Sequence, residues 1–248
     1  MLVPAFIKNI AKKLQPLLPF AVSKNELYDR STKKIISKHC KQDSNCIDIG
    51  ANEGKILQWM IEISPNGKHI AFEPIPSLYD NLKLKYRSNA LILNIALSDQ
   101  QSVSQFNYVT SDPALSGLLK RPYPNYHHEK QIAVNTDTLD NLIAINHKIS
   151  LIKMDVEGGE WHVLQGAINS INRDKPLILF ECGKIGGDIY GFNDTEMYQL
   201  FNTQLHYQLY TLEGWLKAAS PLTSIDFKAY YENGEEYFFL AAPIDIEQ

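Results

Sequence analysis

The 248-residue chain has little of what marks several large protein classes. Its three cysteines, Cys40, Cys46 and Cys182, are odd in number and scattered. That excludes a disulfide framework and fits reduced thiols in a cytoplasmic protein. No apolar run reaches the length of a membrane span. Basic clusters and zinc spacings are missing, and 24 basic residues against 28 acidic ones leave a net charge of -4, so nucleic acid is not an expected partner. The G-x-G-x-x-G fingerprint is missing as well. Counted from Gly50, its second and third glycine places hold Asn52 and Lys55, which argues against NAD or FAD. There is also no G-x-x-x-x-G-K-[ST] loop for ATP or GTP.

An apolar share of 44% supports a substantial core, and the length suits one α/β domain. Its organising stretch is Asn45 to Gly54. Cys46, Ile47 and Ile49 form a short apolar run of the kind a central parallel strand shows when both faces are buried. Gly50 and Gly54 then allow a tight bend and close approach of a bound molecule. From Lys55, the residues Ile56, Leu57, Met60 and Ile61 fall at helical spacing. Strand, glycine turn and helix in that order form the ligand crevice of an open α/β sheet.

Two more strands are expected to follow. His69 to Phe72 ends at Glu73 and Pro74, about 20 residues beyond the glycine turn, where a carboxylate can accept the ribose hydroxyls of an adenosine. Leu91 to Leu97 reads as a third buried strand leaving through Ser98 and Asp99, with Ala96, Leu97 and Ser98 as candidate adenine contacts. Residues 102–137 interrupt the alternation. Val103–Val109 and Gln131–Asn135 alternate like half-exposed strands and flank a loop of about 20 residues, a length usually functional or disordered. The loop carries Ser116, Tyr123, His127, His128 and Glu129, a set suited to gripping a polyhydroxylated acceptor. Adjacent His127 and His128 do not converge easily on one metal ion.

Ile149 to Glu160 is the second informative stretch. An apolar strand ends in Asp155, Glu157 and Glu160 around Gly158 and Gly159, and a helix follows with Trp161, Leu164, Ile168 and Ile171 on its inner face. Pro176 to Glu181 reads as a fifth strand, and the Gly183–Asp188 loop is placed to border an acceptor cleft. Asn193 to Glu196 opens a capped helix, and Tyr207–Leu212 and Tyr237–Ala241 complete seven strands.

In order and spacing, Asp48 to Gly54, Phe72 to Pro74, Ala96 to Ser98, Asn135 to Asp140 and Ile152 to Ala167 resemble the motifs of FkbM-type S-adenosylmethionine-dependent methyltransferases, over roughly residues 45–182. The resemblance implies a Rossmann-like class I methyltransferase fold: a mostly parallel seven-stranded sheet with helices on both faces. It implies S-adenosylmethionine held by Asp48, Gly50, Ala51, Asn52, Gly54, Glu73, Pro74, Ala96, Leu97 and Ser98, and methyl transfer to an oxygen of a sugar, glycan or polyketide-like molecule. Asp155 is the first candidate base and Glu157 the second, with Lys153 as their positive partner; Ser116, Tyr123, His127, His128 and Glu181 are candidate acceptor contacts. Two other roles stay open for the acids: Asp155, Glu157 and Glu181 could hold a divalent cation, or Asp155 and Glu157 could merely fix the turn and cap the next helix. A nucleotide-binding oxidoreductase and a non-catalytic module of the same fold are the rival functions.

Residues 1–44 read as an N-terminal helical cap before the 45–248 domain, with a helix over 24–40. The first 20 residues are amphipathic but interrupted by Pro4, Pro16 and Pro19, with lysines inside the apolar stretch, unlike a signal peptide. They fit a helix folded back on the domain, or a peripheral membrane or partner contact.

Overall fold

The computed structural model describes residues 23–123 and 125–244. The amphipathic segment of residues 1–20 lies outside the described residues. Helix α1 (Lys24–His39) begins at Ser23, whose side chain accepts the Glu26 N–H, and buries Tyr28, Ile35 and Ile36. Strand β1 (Cys46–Ile49), fully buried, leads through the glycine turn into α2 (Lys55–Ile63), which buries Leu57 and Met60. Complete burial of two such side chains contributes about 1.5–3 kcal/mol each to holding α2 on the sheet.

Next come β2 (His69–Phe72), α3 (Pro76–Tyr86) and β3 (Ala90–Leu93). The expected third strand is in fact two elements. β3 is the edge of the sheet, with Leu91 55% exposed, and β4 (Ala96–Leu97) belongs to a separate three-stranded sheet. Asn94 causes the break: its side-chain amide donates to the carbonyls of Glu73 and Pro74 and turns the chain out of the ladder. In the second sheet, β5 (Ser102–Val109) pairs antiparallel with β6 (Glu129–Asp137), which pairs parallel with β4, and residues 110–128 hang from β5 and β6 as one loop.

A short helix α4 (Leu139–Leu142), capped by the Thr138 hydroxyl, precedes β7 (Leu151–Met154). The single helix expected after Glu160 is split into α5 (Glu160–Gln165) and α6 (Ile168–Asp174). The backbone of Gly166 packs so tightly that an added Cβ would lie 2.1 Å from the Ser98 carbonyl oxygen, and this contact fixes the break. After β8 (Leu177–Glu181), residues read as a loop form helix α7 (Lys184–Tyr190). Its glycines serve packing, since a Cβ on Gly187 would fall 1.7 Å from the Tyr231 hydroxyl. Helix α8 (Asp194–Gln199) starts with the expected capping box of Asn193 and Glu196. β9 (Tyr207–Thr211), α9 (Leu212–Leu216), α10 (Ser224–Asn233) and β10 (Phe238–Pro243) complete the chain as described.

The main sheet has the order β3-β2-β1-β7-β8-β10-β9. Its first five strands are parallel, and β10 runs antiparallel to both β8 and β9. This is the mostly parallel seven-stranded sheet the sequence predicts. The chain order reverses at β1 and β7, and the crevice outside the carboxyl ends of those strands is where an open α/β sheet binds its ligand.

Candidate active site

A cleft of about 550 Å³ opens at those strand ends, a size usual for small-molecule sites. One end is built on the glycine turn. Gly50 (φ 73°), Asn52 (φ 49°) and Gly54 (φ 77°) all lie in the left-handed region. Gly50 is required twice over, because an added Cβ would also sit 2.0 Å from the Asp155 carbonyl oxygen. Glu73 lies beside the turn, 3% exposed, accepting the Asn52 N–H at 2.8 Å and the Ile75 N–H at 2.9 Å. Burial pushes its carboxyl up to about 7, even though both backbone donors and Lys153 favour the ionised form.

Gly50, Ala51, Asn52, Glu73, Pro74, Ala96 and Leu97 line the cleft as a group. Three other residues expected at the cofactor do not line it. Gly54 packs against Leu82 and Tyr86. Asp48 lies beneath the floor, fully buried, where it accepts the Leu57 N–H of α2 at 3.0 Å. Ser98 is turned into the second sheet, its N–H donating to Asp137 and its hydroxyl to Asp99.

The other end of the cleft is acidic. Asp155, Glu157 and Glu181 each offer an oxygen within 4.8 Å of the others. Lys153 follows the β7 register beside Asp48 of β1; its Nζ lies 3.4 Å from Asp48 and 3.9 Å from Asp155, and donates to the Gly50 carbonyl at 3.1 Å. Burial lowers the Lys153 pKa, but the negative charges of Asp48 and Asp155 outweigh it and leave the ammonium with a raised one. Glu157 is in the left-handed region at φ 61°, and Glu160, the first residue of α5, reaches back to accept the Val156 N–H at 2.8 Å. Glu160 thus serves the turn, and Asp155 and Glu157 face the cleft.

Sequence reasoning missed Arg121. Carried by the 110–128 loop, its guanidinium pairs with Glu157 and stands 3.9 Å from Glu181. Burial pushes the Glu181 carboxyl well above the usual carboxylate range, and the nearby charges of Asp155 and Glu160 push it further. Arg121 has no periodic pattern or motif around it; the unusual loop length is the one signal that pointed to its neighbourhood. Asn25, Tyr28, Asp29 and Thr32 of α1, which also reach the cleft, were missed too.

Of the expected acceptor contacts, Ser116 and Glu181 line the cleft, with the Ser116 hydroxyl accepting the Val109 N–H. Tyr123, His127 and His128 do not. The Tyr123 hydroxyl is held between Asn107 and Leu115, the His127 ring bonds the Ser111 hydroxyl, and the His128 backbone ties the loop to Thr110 and Ser111. These three residues organise the loop.

The glycine turn, the acid after β2 and the acids after β7 on this sheet order define a class I methyltransferase fold. The model of the methyltransferase FkbM domain matches residues 48–209, and the chain belongs to that family. It is 25% identical over 158 residues to 2-O-methyltransferase NoeI of Sinorhizobium fredii, a match covering 58% of this chain and 65% of that protein. Over 172 residues it is 25% identical to methyltransferase sdnD of Sordaria araneosa, covering 54% of this chain and 66% of the relative. The chain thus spans just under two thirds of these curated relatives. In fold it is similar to the crystal structure of methyltransferase FkbM from Methylobacillus flagellatus, with TM-score 0.51, 16% identity, and coverage of 82% of this chain and 44% of that one.

Proposed function

We propose that the chain is an S-adenosylmethionine-dependent O-methyltransferase that acts on a hydroxyl of a sugar, glycan or polyketide-like small molecule. The observation that carries this reading is one cleft joining the Gly50 turn and Glu73 to Asp155, Glu157 and Glu181. Family membership and the 2-O-methyltransferase relative support it. The residues fit the cofactor. Gly50, Ala51 and Asn52 of the turn line the cleft, Glu73 offers carboxylate lone pairs beside them, and Ala96 and Leu97 give an apolar wall.

Bound S-adenosylmethionine supplies an electrophilic methyl group on a sulfonium. The chain's part is alignment and exclusion of water, worth about 7–11 kcal/mol of barrier in well-oriented reactions. A positioned base adds about 10²- to 10⁴-fold. Asp155 takes that role, because Arg121 already holds Glu157 and neighbours Glu181, whereas Asp155 has Lys153 at 3.9 Å and opens to the cleft. The acceptor hydroxyl gives its proton to the Asp155 carboxylate as the oxygen takes the methyl group. Asp155, Glu157 and Glu181 have a spacing a divalent cation could use, but the Arg121 guanidinium enters that space and supplies the positive charge, so no step runs through a metal.

No described helix is long and apolar enough to cross a membrane. The three free, buried cysteines support a cytoplasmic location. Calorimetric titration with S-adenosylmethionine, NAD and ATP tests the function. The methyl donor alone is expected to bind; binding of NAD would favour the oxidoreductase, and binding of none would favour a non-catalytic module.

A further inference from the structure

A second chamber of about 410 Å³ lies among the carboxyl end of β8, helix α7 and the end of α10. It shares Arg121, Glu181 and Tyr237 with the cleft, so these side chains form the partition between the two spaces. The partition is an ionic one. Arg121 bridges from Glu157 toward Glu181, and its buried Nε has no hydrogen-bond partner, leaving a donor available at the junction.

The lining of the chamber selects among ligands. Phe192, Tyr231 and Tyr237 give it aromatic faces, and Gly158, Gly183 and Gly186 expose main chain between them. Both of its cations are already paired, Arg121 with Glu157 and Lys184 with Glu232 at 2.7 Å across the rim. Glu160 and Glu181 add carboxyl groups whose pKa values burial raises. A phosphate or carboxylate would meet acids and no spare cation. A neutral ring with apolar faces and hydroxyl edges would meet aromatic faces, carboxyl acceptors and the free Arg121 N–H.

We propose that this chamber holds an uncharged pyranoside ring of the acceptor, with the Arg121–Glu181 partition binding its hydroxyl groups and directing one of them toward Asp155. The proposal rests on the methyltransferase reading and adds to it the substrate class and the place of binding.

Gly183 gives a clean test. Its backbone is extended (φ -173°, ψ 167°), a conformation any residue adopts, and an added Cβ would meet nothing within 4 Å. Gly183→Leu therefore fills the chamber without backbone strain and leaves the cleft untouched. Saturation-transfer NMR is run on the protein with S-adenosylhomocysteine bound, using methyl glucoside, galactoside, mannoside and fucoside as probes. At least one is expected to bind the unaltered protein, with a signal at least fivefold weaker in Gly183→Leu and S-adenosylhomocysteine affinity within about twofold by calorimetry. Glucose 6-phosphate is expected to give no signal. Absence of all four glycosides from the unaltered protein, undiminished binding in Gly183→Leu, or preference for the phosphorylated sugar would overturn the proposal. Gly183→Val takes the place of the leucine variant should that protein lose S-adenosylhomocysteine. Failure of the unaltered protein to bind S-adenosylhomocysteine sinks the methyltransferase reading itself, and the proposal with it.

Discussion

Lys153 and Asp48 are register partners on adjacent parallel strands, and their charged groups lie 3.4 Å apart in the buried floor of the cleft. Side chains at the same register on neighbouring parallel strands share a face of the sheet, so the pair ties β1 to β7 where both reach the site. Removing one partner of a buried pair leaves the other uncompensated, at a cost of about 3–5 kcal/mol. Lys153→Met is expected to lose that much stability in urea unfolding. Adding Asp48→Asn should restore at least half of it, because the asparagine carbonyl can still accept the Leu57 N–H. A double variant no more stable than Lys153→Met would disprove the pairing energy.

Glu73 makes the protein pH-sensitive. Its carboxyl titrates at about 7 in the fold against 4.5 for the free side chain, so the folded state holds the proton more tightly. Its stabilising contribution is full below pH 4.5 and is lost as pH rises to about 7, roughly 3 kcal/mol in all. Glu160, also pushed up to about 7 by burial, acts in the same direction. Glu73→Gln should therefore unfold with a visibly flatter pH dependence between 5 and 7.5. If Glu73 receives ribose hydroxyls, S-adenosylmethionine should bind about five- to tenfold more tightly at pH 8 than at pH 6, as the carboxylate forms. A pH-independent Kd would rule that contact out.

Asp155→Asn should keep S-adenosylmethionine binding within about twofold and lower kcat by about 10²- to 10⁴-fold, the span of a lost general base. Glu157→Gln should instead release Arg121 and raise the acceptor KM. Single-turnover rates with a labelled methyl donor separate the two, and an Asp155→Asn variant with full kcat would remove Asp155 from the chemistry.

Arg121 supplies the positive charge among three acids, so EDTA should leave turnover unchanged, while Arg121→Ala should cut kcat/KM at least tenfold. Magnesium added to Arg121→Ala tests whether the spacing of Asp155, Glu157 and Glu181 can serve a cation once the guanidinium is gone. Loss of activity of the unaltered protein in EDTA, restored by magnesium, would refute this assignment.

The glycine-turn half of the cleft was legible in the sequence because buried parallel strands leave short apolar runs that end abruptly. Cys46–Ile49 and Leu151–Met154 are such runs, interrupted only by the mutually paired Asp48 and Lys153, and they stop at Gly50 and Asp155. The half carried by the 110–128 loop was not. Arg121 reaches Glu157 by the path of a long loop, and a path has no period. The break between β3 and β4 was hidden in the apolar run Leu91 to Leu97, since one asparagine bonding backwards redirects the chain. Helix α7 passed for a loop because Gly186 and Gly187 answer to contacts with Gly158 and Tyr231, partners distant in sequence.

The 110–128 loop has one further consequence. It brings Ser116 and Arg121 to the cleft from a small sheet joined to the chain on either side of β5 and β6, whereas Gly50 and Glu73 are mounted on the main sheet. The two walls of the cleft thus sit on separable pieces of polypeptide. A chimera that exchanges the 110–128 segment replaces Ser116 and Arg121 while leaving the Gly50 turn and Glu73 in place, so under the proposed function it is expected to change acceptor preference and keep S-adenosylmethionine affinity.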